Sequence, residues 1–142
     1  MKLNIAIITL ITVLTGSFAF ANTLGLSDNG DGTWNVNYVS DGDIAGFQFG
    51  VDGADVDGAS GGDAGAAGFM ISTSSTMVLG FSLSGATVSA GEGVLVVIDI
   101  SGGDEPSLSG IIVSDPDGMD MEFTYDDGGS DDGGGDDGGG DG

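Results

Sequence analysis

From residue 23 onward, short apolar segments alternate with runs of Gly, Asp and Ser. In "TWNVNYVS", Trp34, Val36 and Tyr38 fall on one side of an extended chain and two asparagines fall on the other. Such alternation is typical of a half-buried strand, because successive side chains of a strand point to opposite faces. In the next segment Phe47, Phe49 and Val51 alternate with Gln48 and Gly50, which predicts a second strand of the same kind with Phe47, Phe49 and Val51 facing the core.

Segments of this type recur about every ten residues, and nearly every gap carries a turn sequence such as "DNGDG". This spacing predicts an all-β fold, an antiparallel β-sandwich or barrel. A short helical turn is expected near 63–67, where alanines lie between glycines. The predicted strands lie within 23–27, 33–40, 44–53, 68–73, 76–85, 91–102, 109–115 and 119–125.

Two of these strands differ from the others. The run "VLVVI" at 94–98 is apolar throughout and rich in β-branched residues, which predicts a central strand covered on both faces. In "MVLGFSL" at 77–83, Val78, Gly80 and Ser82 alternate with Leu79, Phe81 and Leu83, as in a half-buried strand.

The first 21 residues have the features of a signal peptide. A minimal basic start, "MK", precedes a long apolar stretch, and Ala19–Ala21 gives the small-x-small pattern of a cleavage site. The stretch is almost long enough to be an uncleaved membrane anchor, but Gly16–Ser17 and the cleavage site favour a signal peptide. We therefore expect cleavage after Ala21 and a secreted or cell-surface protein. With no cysteine in the chain, a lipid-anchored lipoprotein is excluded.

The last segment, 126–142, repeats "DDGG" followed by Ser or Gly and contains no apolar residue. Such a segment cannot bury enough surface to offset its chain entropy, so we expect a disordered linker or tail that its own charges extend. The part between, 22–125, has the usual size of one domain and can bury its own core.

The chain contains 23 acidic residues, one basic residue, Lys2, and no histidine or cysteine. Once a signal peptide leaves with Lys2, no ion pair between side chains can form. The carboxylates must then be screened by solvent or bound cations, which favours salty surroundings. Nucleic acids and anionic membrane surfaces are excluded as partners, because both require basic contacts.

The same composition excludes most catalytic chemistry. The predicted domain offers no His or Lys base, no Cys nucleophile, no Arg for an oxyanion, and no His or Cys ligand for zinc. A carboxylate pair of the glycosidase type remains open, but some close pair is inevitable in so acidic a domain. We interpret the protein as non-enzymatic.

Calcium is the one candidate cofactor, since hard cations take oxygen ligands from acidic loops. Neither candidate loop, "SDNGDGT" or "SDPDGMDME", fits the helix-flanked calcium pattern, and hairpin turns are the favoured alternative for both. The candidate metal ligands are Asp28, Asp31, Asp115, Asp117, Asp120 and Glu122.

Trp34 and Tyr38 are candidates for carbohydrate binding, although their side of the strand also carries Val36 and so favours a packed aromatic stripe.

Two longer segments, "DIAGFQFGVDG" (43–53) and "VLGFSLSGATVSAGEGVLVVIDISG" (78–102), resemble the cohesin-like modules of bacterial extracellular proteins. The closing "LSGIIVSDPDGMDMEFTY" (108–125) is similar in kind. The resemblance covers about residues 35–125 and is most specific in "SGATVSAGEGVL". One departure is "GADVDGASGGDAGAAG" (53–68), which stands where the family has a longer, more apolar region.

The resemblance implies a jelly-roll β-sandwich in a superfamily shared with carbohydrate-binding modules. Cohesins bind dockerins, small calcium-loaded modules. By that resemblance we expect an exported, non-catalytic binding or scaffolding module that attaches to another extracellular protein module or to a polysaccharide. The alternative is a calcium-dependent structural, surface-coat or adhesion protein in which calcium cross-links acidic faces.

Overall fold

A computed structural model describes residues 22–127, which form nine strands and one short helix. The predicted signal peptide and most of the predicted tail, 128–142, lie outside these residues. Within them, no helix is long and apolar enough to cross a membrane. The elements are β1 Thr23–Asp28, β2 Thr33–Ser40, β3 Gly46–Asp52, β4 Asp55–Ser60, α1 Gly62–Ala66, β5 Met70–Thr73, β6 Met77–Phe81, β7 Gly91–Ser101, β8 Ser107–Ser114 and β9 Thr124–Asp126.

The strands form two sheets that share one core. The five-stranded sheet has the order β4-β7-β2-β1-β9, and the four-stranded sheet has the order β5-β6-β3-β8. All pairings are antiparallel except that of β1 with β9, which is parallel. Buried side chains from both sheets form a single hydrophobic cluster. The predicted all-β, jelly-roll-like sandwich with a short helix is confirmed.

The alternating pattern of the sequence determines which side chains enter the core. In β3, Phe47, Phe49 and Val51 are buried, whereas the residues between them are partly exposed. The ring of Phe47 stacks against those of Phe49 and Phe69, at centroid distances of 6.0 and 6.2 Å. Phe47 and Phe49 lie on β3, and Phe69 lies between α1 and β5, so these contacts tie the helix connection to the sheet, and burial of the rings favours folding.

Strand β7 is central, as its apolar run predicts, and lies between β4 and β2. Its consecutive residues Leu95 and Val96 are both fully buried, which regular alternation does not allow. The register against β2 shifts at this point, and a bulge of this kind turns two successive side chains to one side. Val94 and Val97 are half-buried, so the two covered faces that the sequence predicts are only partly realised.

Helix α1 packs against β7 and follows β4 directly. Gly62 has a φ of +65°, and a Cβ there would meet the carbonyl group of Leu95, so both backbone conformation and space require glycine. Ala64, within the helix, is fully buried. Strand β4 was not predicted, because only Val56 of its "DVDGAS" is apolar and buried.

Candidate functional site: an uncharged apolar sheet face

The outward side of the four-stranded sheet carries an unusual set of side chains. In register across its four strands, Ser72, Leu79, Gln48 and Ile112 form one row. A second row consists of Met70, Phe81, Gly46 and Ser114, and Met77 lies opposite Gly50. We call the outward side of this sheet the apolar face: Gly46, Gln48, Gly50, Met70, Ser72, Met77, Leu79, Phe81, Ile112 and Ser114.

Large hydrophobic side chains remain exposed on this face. Met70 is 52% exposed, Ile112 48%, Leu79 40% and Met77 36%. Within residues 22–127, only two other large hydrophobic side chains are as exposed, Leu83 and Met119. An exposed apolar cluster of this kind marks an interaction site more often than isolated exposed residues do.

The apolar face differs from the rest of the domain in its lack of charged residues. The four strands β5, β6, β3 and β8 contain a single carboxylate, Asp52, at the end of β3. The five strands of the other sheet contain six. The apolar face is thus an uncharged surface on a strongly acidic domain.

A shallow groove of about 270 Å³ runs along the β5–β6 side of the apolar face. Leu79 and Met77 supply its apolar wall, and Gln48 with Ser72, Thr73 and Ser74 supply polar groups. This combination of apolar surface with a few polar groups suits a protein side chain.

Carboxylates flank the apolar face at both ends of its strands. At one end, Asp52 ends β3 beside the start of β8. At the opposite end, Asp115 and Asp117 follow β8 directly. The face therefore has a negative border at each end and no charge between.

The first candidate calcium loop is a hairpin turn between β1 and β2. Asp28 Oδ1 accepts a hydrogen bond from the Gly30 amide at 2.8 Å. Asp31 Oδ1 accepts bonds from the hydroxyl and the amide of Thr33, at 2.6 and 3.0 Å. These bonds, that of the Thr33 hydroxyl above all, lower the pKa of Asp31. Both carboxylates thus stabilise the turn.

The second candidate loop is also a turn. Asp115 Oδ1 accepts hydrogen bonds from the amides of Asp117 and Met119, both at 2.9 Å. The remaining two candidates, Asp120 and Glu122, have exposed side chains. Among residues 22–127, no three acidic side chains are placed to hold a metal ion. The structure therefore gives the carboxylates of Asp28, Asp31 and Asp115 a role in turns and adds no support for calcium.

The two aromatic candidates for carbohydrate binding occupy different environments. Tyr38 is only 4% exposed and donates a hydrogen bond from its hydroxyl to Asp63 Oδ2 at 2.7 Å. Burial first, and then the bond to Asp63 and its charge, raise the pKa of Tyr38 to about 12. Its ring belongs to the core, as the packed stripe predicted, and offers no surface to a sugar.

Trp34 is half-buried and lines an open cleft of about 610 Å³ between the β1–β2 hairpin and the loop that joins β7 to β8. Leu26, Asp28, Asp104 and Glu105 complete the lining of this cleft. The structure brings Asp28 and Trp34 together as cross-strand partners, but it separates them from Tyr38 and Asp63.

Sequence reasoning did not single out the apolar face. In "MVLGFSL" the side with Leu79 and Phe81 is the more apolar, and alternation alone favours it as the core side. The structure instead buries Val78 and Gly80 and leaves Leu79 exposed. The strand order that brings Ile112 and Met70 onto the same surface is a long-range property, and the local pattern does not contain it.

No protein-family model matches the sequence, and no curated protein matches it. Solved structures of similar fold include the following two. A non-cellulosomal cohesin from the hyperthermophilic archaeon Archaeoglobus fulgidus is 14% identical with a TM-score of 0.55, over 74% of this chain and 86% of the cohesin. A chain of a cohesin–dockerin complex is 14% identical with a TM-score of 0.51, over 75% of this chain and 95% of that chain. The resemblance to cohesins is thereby confirmed for the fold, and residues 22–127 form a cohesin-like β-sandwich.

Proposed function

We propose that this domain is a non-catalytic module that binds another protein through the apolar face. The observation that carries this proposal is the contrast in charge: an uncharged surface with four exposed large apolar side chains lies on a domain that is acidic elsewhere. Burying those side chains against a partner is favourable by about 25 cal/mol per Å² of apolar surface.

The partner that fits this surface is a protein with an apolar centre and a basic rim. Lys and Arg at the rim would meet the carboxylates at the two ends of the face, among them Asp52 and Asp115. Such complementarity accelerates encounter and fixes orientation more than it adds affinity. A second copy of this chain cannot supply the rim, because Lys2 is its single basic residue.

The fold supports the same proposal. One similar structure comes from a complex of a cohesin with a dockerin, so a sandwich of this type can bind a second protein module. We carry over to this chain only the coarse property of protein binding. The absence of His, Lys, Arg and Cys after residue 2 favours a binding role over catalysis.

We also propose that the protein is exported, with cleavage after Ala21, and that 126–142 links or extends the domain. The intact mass of the protein from its native source tests both points. A mass for Asn22–Gly142 supports export of a free protein with an acidic tail. A larger mass makes the tail a linker to further domains, and a retained N-terminal segment contradicts cleavage.

The binding proposal is tested with two variants that add the same charge at different places. Leu79→Asp places a carboxylate at the centre of the apolar face, whereas Met119→Asp places one on the exposed turn after β8, where Met119 is 64% exposed. Immobilised wild-type protein and both variants are incubated with the secreted proteins of the source cells. We expect a protein that wild type and Met119→Asp retain and that Leu79→Asp loses.

Equal retention by the two variants would contradict the apolar face as the binding surface. Retention of the chain on insoluble cellulose, lost in Trp34→Ala, would instead support polysaccharide attachment at the Trp34 cleft. Dimerisation of wild type that Leu79→Asp abolishes would identify a second copy as the occupant.

A further inference from the structure

We propose that Met70 and Met77 make the apolar face sensitive to oxidation, so that a hydroperoxide lowers its affinity for a protein partner. The inference concerns regulation of the surface described above and rests on the proposed function. Met70 lies on β5 and Met77 on β6, and they are 52% and 36% exposed. They supply two of the four exposed large apolar side chains of the face.

The four methionines of residues 22–127 fall into three environments. Met70 and Met77 lie on the apolar face outside the buried core cluster. Met119 is 64% exposed on the turn after β8. Met121 packs against the core, and its methyl group lies close to Gly42. Oxidation at Met70 and Met77 therefore changes a surface without opening the core, and Met119 provides an internal control.

The chemistry is a two-electron oxygen transfer. A lone pair on the thioether sulfur takes one oxygen of hydrogen peroxide, the O–O bond breaks, and water leaves. The sulfur is oxidised to a sulfoxide and the peroxide is reduced. The chain has no cysteine, so no thiol competes for the oxidant, and exposed thioethers are its main targets.

The consequence follows from what surrounds these two side chains. Met77 lines the groove with Leu79, and Met70 lies opposite Phe81. A sulfoxide is polar and a strong hydrogen-bond acceptor, and a partner's apolar surface could not satisfy it, so binding would leave a buried polar group unpaired. Since no charge lies on this face, the new dipoles would be its most polar groups apart from Gln48 and the serines.

The test compares three chains before and after hydrogen peroxide: wild type, Met70→Leu/Met77→Leu and Met119→Leu. Leucine has a similar volume and cannot be oxidised. Peptide mass spectrometry is expected to show added oxygen at Met70, Met77 and Met119 ahead of Met121. On a hydrophobic-interaction column, oxidised wild type and oxidised Met119→Leu are expected to elute earlier than before treatment. The oxidised double variant is expected to shift less than either, because Met119 is its one remaining strongly exposed methionine among residues 22–127.

Affinity is then measured for the protein that wild type retains and Leu79→Asp loses. Oxidation should weaken binding on the order of tenfold in wild type and Met119→Leu. The double variant should bind after peroxide treatment with the same affinity that it has before treatment. Unchanged affinity of wild type oxidised at both positions would overturn the inference while leaving the proposed function intact. Equal losses in oxidised wild type and oxidised double variant would also overturn it. If no protein is retained by wild type and lost by Leu79→Asp, the proposed function fails, and this inference fails with it.

Discussion

The Tyr38 hydroxyl donates a 2.7 Å hydrogen bond to Asp63 Oδ2, which joins the central strand β2 to helix α1. The two partners of this bond differ in solvent exposure: Tyr38 is buried, whereas Asp63 is exposed. Water can replace the hydroxyl as the hydrogen-bond partner of Asp63. Among residues 22–127, the Tyr38 hydroxyl has no second acceptor that could replace the carboxylate.

This inequality predicts different costs for the two deletions. Tyr38→Phe should lower the free energy of unfolding by about 1 kcal/mol, whereas Asp63→Ala should lower it by about 1–3 kcal/mol because it leaves a buried hydroxyl without an acceptor. Urea unfolding measures both. Asp63→Asn is the matched control, since it keeps an acceptor oxygen and should lie closer to wild type. A larger loss in Tyr38→Phe than in Asp63→Ala would contradict this account.

The raised pKa of Tyr38 predicts a loss of stability in alkali. The phenol has a pKa of about 10 in the unfolded chain and about 12 in the folded one. The folded state therefore holds this proton more tightly. The stabilisation is fully present below pH 10 and disappears as the pH rises through about 12.

Absorbance of tyrosinate during alkaline titration tests the shift of Tyr38. The chain has two tyrosines, and the pKa of Tyr125 is also raised, by burial first and then by Asp127, Glu105 and Asp126. The titration is therefore done in Tyr125→Phe, which leaves Tyr38 as the single titrating phenol. A titration midpoint at the ordinary pKa of tyrosine would contradict the burial of Tyr38 and its hydrogen bond to Asp63.

Much of the fold follows from local pattern. The alternation in β2 and β3 correctly assigned Val36, Phe47 and Phe49 to the core, since one side of a half-buried strand must be apolar. Strand β4 escaped prediction because Asp55, Asp57 and Gly58 have weak strand propensity. Its pairing with β7 supplies what local propensity lacks.

The candidate site was less predictable for a physical reason. The local pattern favours burial of Leu79 and Phe81, yet the side of β6 that meets the other sheet carries Val78 and Gly80. Its neighbours Gln48 and Ile112 come from strands far away in sequence. Only tertiary pairing brings these residues onto one surface.

A glycine in β6 provides a test of core packing. A Cβ at Gly80 would overlap with the ring of Phe47, and overpacking a well-filled core costs about 1–3 kcal/mol. Gly80→Ala should lower the midpoint of thermal unfolding. Gly58→Ala is the matched control in another strand, because a Cβ at Gly58 meets nothing within 4 Å. Equal midpoints for the two variants would contradict the packing of Phe47 over Gly80.

The charge of the chain predicts that salt stabilises the fold. Sodium chloride should raise the melting temperature by screening carboxylates that have no basic side chain to pair with. Calcium and magnesium at equal concentration should raise it by similar amounts, because the described carboxylates form no metal site. A stabilisation by calcium that magnesium does not reproduce would favour the alternative of a calcium-dependent structural protein.

Strands β1 and β9 run parallel, with Thr23 beside Thr124 and Gly25 beside Asp126. A tension applied at Asn22 and Asp127 in opposite directions would pull these two strands along each other. Their evenly spaced ladder bonds would then be loaded together, whereas a hairpin pulled from its open end loses its bonds one at a time. Because forced unfolding is governed by the unfolding rate, this geometry would make the domain resist traction along the chain.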